Sequence, residues 1–261
     1  MNRRDAATLL TAVVALTLVG ATATAQKEKK REVSTEISVL ERIIEPEEAL
    51  LDENRKVRVD SIPAGEEESR YSGLTDYDFE LVAGELGVET AAIKAVVAIE
   101  AGANMKGFWA PGIPVVNFDP KMYARFRSQV SSKEGAKGET VPEGLSGYAL
   151  KEWTQLIRAR KVNAQAANMG TFWGMFQIGG FNYRKCGCET VDEFVRLMAF
   201  SELEQLELFA AFITNGGMLT DLRNRNWAAF ARKYNGPSYA KRGYHTKMAA
   251  AYKRYKAAEN N

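Results

Sequence analysis

The segment that ends at Glu100 is almost entirely apolar but closes with a carboxylate. Read as a helix, it places Ile93, Val96 and Val97 seven, four and three residues before Glu100, on the stripe that faces a core. A carboxyl on such a stripe loses water, which raises its pKa. The carbonyl end of the helix, expected near Gly102, disfavours the charge further. Glu100 is therefore a candidate general acid, and the alternative is a helix-end glutamate turned into solvent.

The N terminus has the pattern of a secretory signal over residues 1–25. Arg3 and Arg4 precede an apolar run at residues 12–19, and residues 23–25, Ala-Thr-Ala, form a small-residue cleavage site. The apolar run is too short for a permanent membrane span. We therefore expect an exported protein, periplasmic or secreted, with no stable membrane span after cleavage.

The remaining sequence divides into a charged segment and a globular domain. Residues 26–73 are dominated by Glu, Lys and Arg and are interpreted as a linker or tether, because they supply little apolar surface. Residues 74–257 have the composition of one domain with a sizeable core. Their periodicity predicts a mainly α fold with a short extended segment over residues 108–120.

Capping patterns place several of the helices in this domain. Thr75 with Asp78 and Thr190 with Glu193 form capping-box patterns, and the second is expected to open one long helix to Asn215. The segment 128–144 is polar, charged and contains glycine, so it is expected to be a flexible excursion. Further helices are predicted over residues 148–160, 227–234 and 246–257.

Charge balance and the few cysteine and histidine residues limit the functions open to the chain. With 35 basic and 33 acidic side chains, there is no electrostatic basis for nucleic-acid binding. Cys186, Cys188 and His245 do not complete a zinc site alone, and two cysteines so close in sequence are no disulfide framework. We expect no metal, no cofactor and no nucleic-acid partner. A cysteine peptidase that uses Cys186 or Cys188 with His245 is a formal alternative.

The segment 170–180, Gly-Thr-Phe-Trp-Gly-Met-Phe-Gln-Ile-Gly-Gly, has the composition of a sugar-binding surface. Its glycines permit close backbone approach, the rings of Trp173 and Phe176 offer apolar faces, and Gln177 offers a donor and acceptors. The same composition is typical of a tight buried turn between helices.

Two further segments carry polar groups suited to the same chemistry. In the turn that begins at Tyr234, a phenol could hydrogen-bond a catalytic carboxyl and Asn235 a substrate amide or hydroxyl, although ordinary turn chemistry also explains the pattern. Asp119 follows the Glu100 helix and is a candidate second carboxylate of a glycosidase pair, or else a turn or capping residue. Two such carboxyls lie about 5–5.5 Å apart in retaining enzymes and roughly 6.5–9.5 Å apart in inverting ones.

The order of these motifs resembles the lysozyme-like superfamily and, more narrowly, the N-acetylmuramidase family of bacterial and phage modular endolysins. The resemblance runs over residues 74–252. It includes Phe-Trp-Gly-Met-Phe-Gln-Ile-Gly-Gly-Phe-Asn-Tyr at 172–183 and Tyr-Asn-Gly-Pro-Ser-Tyr-Ala at 234–240. It implies a lysozyme-like helical domain with the extended segment beside a sugar cleft. It also matches Glu100 to the family's catalytic glutamate.

The resemblance implies cleavage of the β-1,4 bond between N-acetylmuramic acid and N-acetylglucosamine in peptidoglycan. Glu100 would be the general acid and Asp119 a second carboxylate, while Gln177 and Tyr234 would orient Glu100 and substrate. The family usually has Ser where this chain has Ala101, and Glu where it has Asp119. We expect a monomer whose partner is the glycan strand. The alternatives are a lytic transglycosylase, in which Glu100 acts alone and the product is a 1,6-anhydro sugar, and a non-catalytic wall-binding module.

Overall fold

The computed structural model describes residues 71, 73–102, 105–130 and 134–259, and the statements below concern this part of the chain. The predicted signal peptide, and the charged segment apart from residues 71 and 73, lie outside it. The described part is mainly α, as predicted, with a few short strands. None of its helices is long and apolar enough to cross a membrane.

The helices, in chain order, are α1 (Asp76–Leu86), α2 (Thr90–Glu100), α3 (Pro120–Arg127), α4 (Gly147–Arg160), α5 (Ala164–Met169), α6 (Val191–Met198), α7 (Glu202–Asn215), α8 (Leu219–Arg223), α9 (Trp227–Tyr234), α10 (Tyr239–Arg242) and α11 (Tyr244–Ala258). The strands are β1 (Phe108–Ala110), β2 (Ile113–Pro114), β3 (Val116–Phe118), β4 (Thr171–Trp173) and β5 (Ile178–Gly179).

Helix α2 lies at the centre of the core. Ile93, Val96 and Val97 are fully buried, which confirms the predicted stripe, and Ala95 between them is buried as well. Helix α11 packs along α2, and α1 packs against it from another side. Burying each Val or Ile side chain contributes about 1.5–3 kcal/mol. This burial fixes the helix and so the position of Glu100 at its end.

Glu89 anchors the opposite end of α2 to α11. Its carboxylate accepts a hydrogen bond from Tyr252 Oη at 3.0 Å, lies 2.9 Å from Lys256 Nζ and also pairs with Arg225. The hydrogen bond from Lys256 is the largest influence that lowers the pKa of Glu89. The first residue before α2 is therefore held as a charged carboxylate.

Two small antiparallel sheets lie beside these helices. Strands β1 and β2 form a two-stranded ribbon, in the region predicted to be extended. The second sheet has the order β3-β4-β5, with Val116 opposite Trp173 and Phe118 opposite Thr171. The hairpin of β4 and β5 was not predicted. It lies in the segment 170–180, for which a tight buried turn between helices was the alternative interpretation.

The single helix predicted from Thr190 to Asn215 is wrong. Thr190 Oγ1 does accept from the Glu193 amide at 3.1 Å, but α6 ends at Met198 and α7 begins at Glu202. Ser201 caps α7 by accepting from the Glu204 amide at 3.1 Å. Ser201-x-x-Glu204 is itself a capping sequence, and it begins the second helix.

The segment predicted as a flexible excursion is irregular but attached to the end of α4 where it is described. The amide of Ala136 donates to Arg160 O at 2.9 Å, and Arg160 pairs with Glu139 at 2.6 Å. A Cβ on Gly135 would lie 2.0 Å from Lys161 O, so only glycine allows this approach. The described part of the segment is therefore held in place by backbone contacts.

Gln205 on α7 joins three segments that surround the strands. Its Nε2 donates to Met198 O at 2.8 Å and to Gly107 O at 3.3 Å, and its Oε1 accepts from the Met175 amide at 2.8 Å. Gln205 is fully buried. A buried amide that satisfies three backbone groups fixes their relative positions, because each group left unpaired would cost free energy.

We expect Gln205→Ala to lower the free energy of unfolding by about 2–4 kcal/mol, because three buried backbone groups lose a partner. Urea denaturation measures this change. The matched control is Gln129→Ala, at an exposed glutamine, for which a change within about 0.5 kcal/mol is expected. A loss below about 1 kcal/mol for Gln205→Ala would show that these bonds are not needed to join the segments.

Candidate active site

Glu100 is the last residue of α2 and lies where the helix gives way to irregular backbone. Ala101 is the C-cap, and its amide donates to Val97 O at 2.8 Å. Gly102 then adopts a φ of 79°, a conformation that favours glycine and ends the helix where predicted. The carboxyl thus lies beside the unpaired carbonyl end of a buried helix.

Burial raises the pKa of Glu100 from its ordinary value of 4.5 to about 7. A hydrogen bond from Asn235 Nδ2 to Glu100 Oε1, 2.7 Å long, acts in the opposite direction by stabilising the charged form. Burial is the larger influence. Glu100 therefore keeps its proton to a higher pH than an ordinary glutamate, which is what a general acid needs.

Asn235 and Tyr234 take roles different from those expected of them. The predicted bond from a phenol to the catalytic carboxyl is wrong for Tyr234, because Tyr234 Oη donates instead to Phe176 O at 2.6 Å. The amide of Asn235 binds Glu100 directly. The Tyr234 ring stacks on Phe230 with ring centroids 5.4 Å apart, so the end of α9 that carries Asn235 is firmly positioned. Burial, followed by the nearby Glu100, raises the pKa of Tyr234 well above its ordinary value.

The turn between β4 and β5 brings Gln177 to the same region. Gly174 has a φ of 68° and Gln177 a φ of 47°, and left-handed backbone at a residue other than glycine costs about 1–3 kcal/mol. Gln177 Nε2 donates to Gly174 O at 2.8 Å, which holds the turn closed. Since Tyr234 bonds Phe176, the residue before Gln177, the structure joins this turn to the Asn235–Glu100 pair.

The rings of Trp173 and Phe176 do not offer open faces to a sugar. Both are fully buried. Trp173 Nε1 donates to Asn168 O at 3.0 Å, and Phe176 stacks on Phe209 with ring centroids 4.2 Å apart. The predicted substrate contacts of these two rings are therefore corrected, because both rings support the turn from the core side.

Asp119 is the N-cap of α3. Its Oδ1 accepts from the amides of Lys121 at 2.8 Å and Met122 at 3.1 Å, and Pro120 occupies the first turn of the helix. The Asp119 amide donates to Gly170 O at 3.0 Å. These contacts correspond to the capping alternative. One carboxylate oxygen is engaged in helix capping, and a role as second carboxylate stays a prediction.

The thiols of the formal cysteine-peptidase alternative are buried. Cys186 and Cys188 lie in the core, and His245 contacts Tyr239 edge to face at 5.3 Å. A thiol nucleophile must reach its substrate, so the described structure does not support that alternative. Within the described ranges, no group of three or more His, Cys, Asp or Glu side chains is placed to hold a metal ion.

Sequence reasoning assigned no role to Glu202, the first residue of α7. Its Oε1 accepts from the Gly107 amide at 2.6 Å and its Oε2 from the Leu74 amide at 3.1 Å. Burial raises its pKa, while the Gly107 and Leu74 amides lower it. Ser201 with Glu204 could have marked this helix start, which would have placed Glu202 in the first turn of a new helix.

Comparisons with known proteins identify the family of the chain. The family model described as Muramidase, N-acetylmuramidase, matches residues 89–256. Among solved structures, an endolysin of Burkholderia phage AP3 is 35% identical to this chain. That match covers 71% of this chain and 72% of the endolysin chain, with a TM-score of 0.59. The comparison with curated protein sequences gave no match.

The fold and the family match define a glycosidase of the lysozyme type that acts on peptidoglycan. The chain belongs to the N-acetylmuramidase family.

We expect the stability difference between Glu100→Gln and the wild type to depend on pH. Below pH 4.5 Glu100 is neutral in both the folded and unfolded states. As pH rises from 4.5 to about 7, the unfolded state ionises first, and the wild type loses at most about 3 kcal/mol that the glutamine variant keeps. Urea denaturation at pH 4 and pH 8 measures the difference. Exposed Glu80→Gln is the control, and a pH-independent difference for Glu100→Gln would contradict the raised pKa.

Proposed function

We propose that the protein hydrolyses the β-1,4 bond between N-acetylmuramic acid and N-acetylglucosamine, with Glu100 as the general acid. The observation that carries this proposal is the half-buried Glu100 at the end of α2, whose carboxyl has a pKa raised to about 7 and accepts from one amide donor. A carboxyl in that state donates a proton at neutral pH, whereas an exposed glutamate would already have lost it.

In the proposed reaction, Glu100 protonates the glycosidic oxygen as the bond to the anomeric carbon breaks. Positive charge develops on the sugar ring, and water then attacks the anomeric carbon and releases its proton to the solvent, from which Glu100 regains a proton before the next turnover. Glu100 becomes a carboxylate, which the Asn235 amide stabilises through the 2.7 Å hydrogen bond. The hydrogen bond from Asn235 lowers the pKa of Glu100 because it stabilises the carboxylate, and for the same reason it favours transfer of the proton to the substrate.

Asn235 and Gln177 are the proposed contacts to substrate. Asn235 Oδ1 is buried and has no hydrogen-bond partner among the described residues, and such an atom calls for a partner. The N–H of an N-acetyl group or a sugar hydroxyl would satisfy it. Gln177 is partly exposed on its strained turn, and Tyr234 positions both segments through its bond to Phe176.

A lytic transglycosylase is the second candidate, and the capping role of Asp119 favours it. That reaction needs no second carboxylate, because the 6-hydroxyl of the N-acetylmuramic acid attacks the anomeric carbon in place of water. The hydrolase leaves a reducing end, and the transglycosylase leaves a 1,6-anhydro end that is lighter by one water. A wall-binding module without activity would release neither product.

We also propose that residues 1–25 act as a cleaved signal and residues 26–73 as a tether for a monomeric domain at 74–257. The proposal rests on the sequence pattern of charged, apolar and small residues. It places the enzyme in the periplasm or outside the cell, where peptidoglycan lies. An exported protein whose first residue is Gln26 would support cleavage, and an intact Met1 on the exported form would overturn it.

For activity, Glu100→Gln is expected to lower the rate of release of soluble fragments from purified sacculi by about 10²–10⁴-fold, the range of general acid catalysis. The wild-type rate should fall about tenfold per pH unit above pH 7, because the proton is lost there. Mass spectrometry of the fragments should show reducing ends. If only anhydro ends appear, the protein is a transglycosylase and the hydrolase proposal is wrong. If the wild type releases no fragments, both proposals are wrong.

Asp119→Asn tests the second carboxylate with little disturbance of the fold, because asparagine keeps the oxygen that caps α3. We expect activity to remain within about threefold of wild type and the unfolding temperature to stay unchanged. A loss of 100-fold or more at unchanged stability would instead establish Asp119 as the partner of Glu100. Asp192→Asn, at an acidic residue in the first turn of α6, is the control for loss of one carboxylate charge.

A further inference from the structure

We infer that Trp109 and Tyr148 form a glycan-binding platform, a subsite that holds a sugar ring of the peptidoglycan strand away from Glu100. The inference rests on the proposed function. The two residues come from β1 and α4, yet their rings meet edge to face with centroids 6.4 Å apart. Trp109 is 42% exposed and Tyr148 50% exposed. A single exposed aromatic ring is ordinary, but two that meet from distant parts of the chain form a surface.

Buried polar groups hold both sides of this platform in place. Behind Trp109, the amide of Gly107 is bound by the Glu202 carboxylate at 2.6 Å. Beside Tyr148, buried Glu152 accepts from the Phe118 amide at 2.9 Å, and Trp153 Nε1 donates to Pro114 O at 3.2 Å. Burying carboxylates costs free energy unless they are hydrogen-bonded. The backbone close to Trp109 and Tyr148 is therefore held by buried hydrogen bonds.

A chain of hydrogen bonds connects the region of the platform to the candidate active site. Gly107 O accepts from the Val115 amide at 2.8 Å, and Val115 O accepts from the Gly174 amide at 2.8 Å. Gly174 begins the turn that carries Gln177 and Phe176. That turn is bonded to Tyr234, next to the residue that binds Glu100. The inferred platform and the candidate active site are thus connected by hydrogen bonds, and a glycan strand that extends from Glu100 would make its second contact at the platform.

The chemistry of the platform fits a peptidoglycan strand. Sugar rings present apolar C–H faces that pack on aromatic rings, while the phenol and indole N–H can bond hydroxyls. Lys151 Nζ lies 5.9 Å from the centre of the Tyr148 ring and 3.5 Å from Glu152 Oε1, so an ammonium that is paired with a carboxylate flanks the surface and can bond sugar hydroxyls. Trp109 also borders a cavity of about 630 Å³ whose charged lining residues are Asp76, Lys94, Lys106 and Glu202. Hydrogen-bond donors and acceptors for sugar hydroxyls therefore lie beside the ring.

The test measures binding of the full chain carrying Glu100→Gln to purified sacculi by co-sedimentation, so that catalysis cannot remove the ligand. Adding Trp109→Ala or Tyr148→Ala should raise Kd about tenfold, whereas Trp109→Phe and Tyr148→Phe, which keep a ring, should stay within about threefold. The control is Tyr77→Ala on α1, at a tyrosine that is 69% exposed, with Kd unchanged. Unchanged Kd for both alanine variants would overturn the platform.

With Glu100 intact, the alanine variants should raise KM for sacculi about tenfold and leave kcat within about twofold. A fall in kcat with KM unchanged would also overturn the platform. Failure of the proposed function gives a different result, since a wild type that releases neither reducing nor anhydro ends can still show the binding differences. Thermal unfolding of each variant shows whether it is folded, and the phenylalanine variants decide the outcome if an alanine variant is not.

Discussion

The burial of α2 is the constraint on which the site depends. A glutamate lies at each end of the helix, and the surroundings shift the pKa values of the two carboxyls in opposite directions. At the N-terminal boundary, Lys256 and Tyr252 stabilise the charge on Glu89 and lower its pKa. At the C-terminal end, burial dominates and raises the pKa of Glu100 to about 7. One helix therefore has a charged carboxylate at one end and a carboxyl with a raised pKa at the other. Burial of the apolar residues between them fixes both positions.

The second requirement is a set of buried polar bonds that joins segments far apart in sequence. Gln205 and Glu202 together bind the backbone of Gly107, and Gln205 also binds Met175 in the turn before Gln177. Such bonds are strong in a low-dielectric interior and costly to leave incomplete. They hold the short strands and the strained turn in fixed positions, and the proposed substrate contacts depend on those positions.

Features set by local sequence were predictable. The stripe of Ile93, Val96 and Val97 follows from helical spacing, and the capping box at Thr75 forms as expected. Helix α9, Trp227–Tyr234, has the predicted bounds. The break at Ser201 was missed because apolar spacing on both sides looked continuous, although the capping signal was present.

The parts that depend on tertiary packing were not predictable from the sequence. Composition alone could not tell whether Trp173 and Phe176 face a ligand or the core, and packing against Phe209 and the chain around Asn168 buries them. At the end of α9, neighbouring residues point in different directions. Tyr234 therefore reaches Phe176 while Asn235 reaches Glu100, and the sequence contains no signal that separates those roles.

The most direct measurement of the central claim is the pKa of Glu100 itself. Carbon-13 NMR of the glutamate side-chain carboxyl groups, followed from pH 3 to pH 10, gives each titration curve, and the signal that disappears in Glu100→Gln identifies Glu100. The account predicts a midpoint near pH 7 for that signal. A midpoint near 4.5, the ordinary value for glutamate, would contradict it, because Glu100 would then hold no proton to donate at neutral pH.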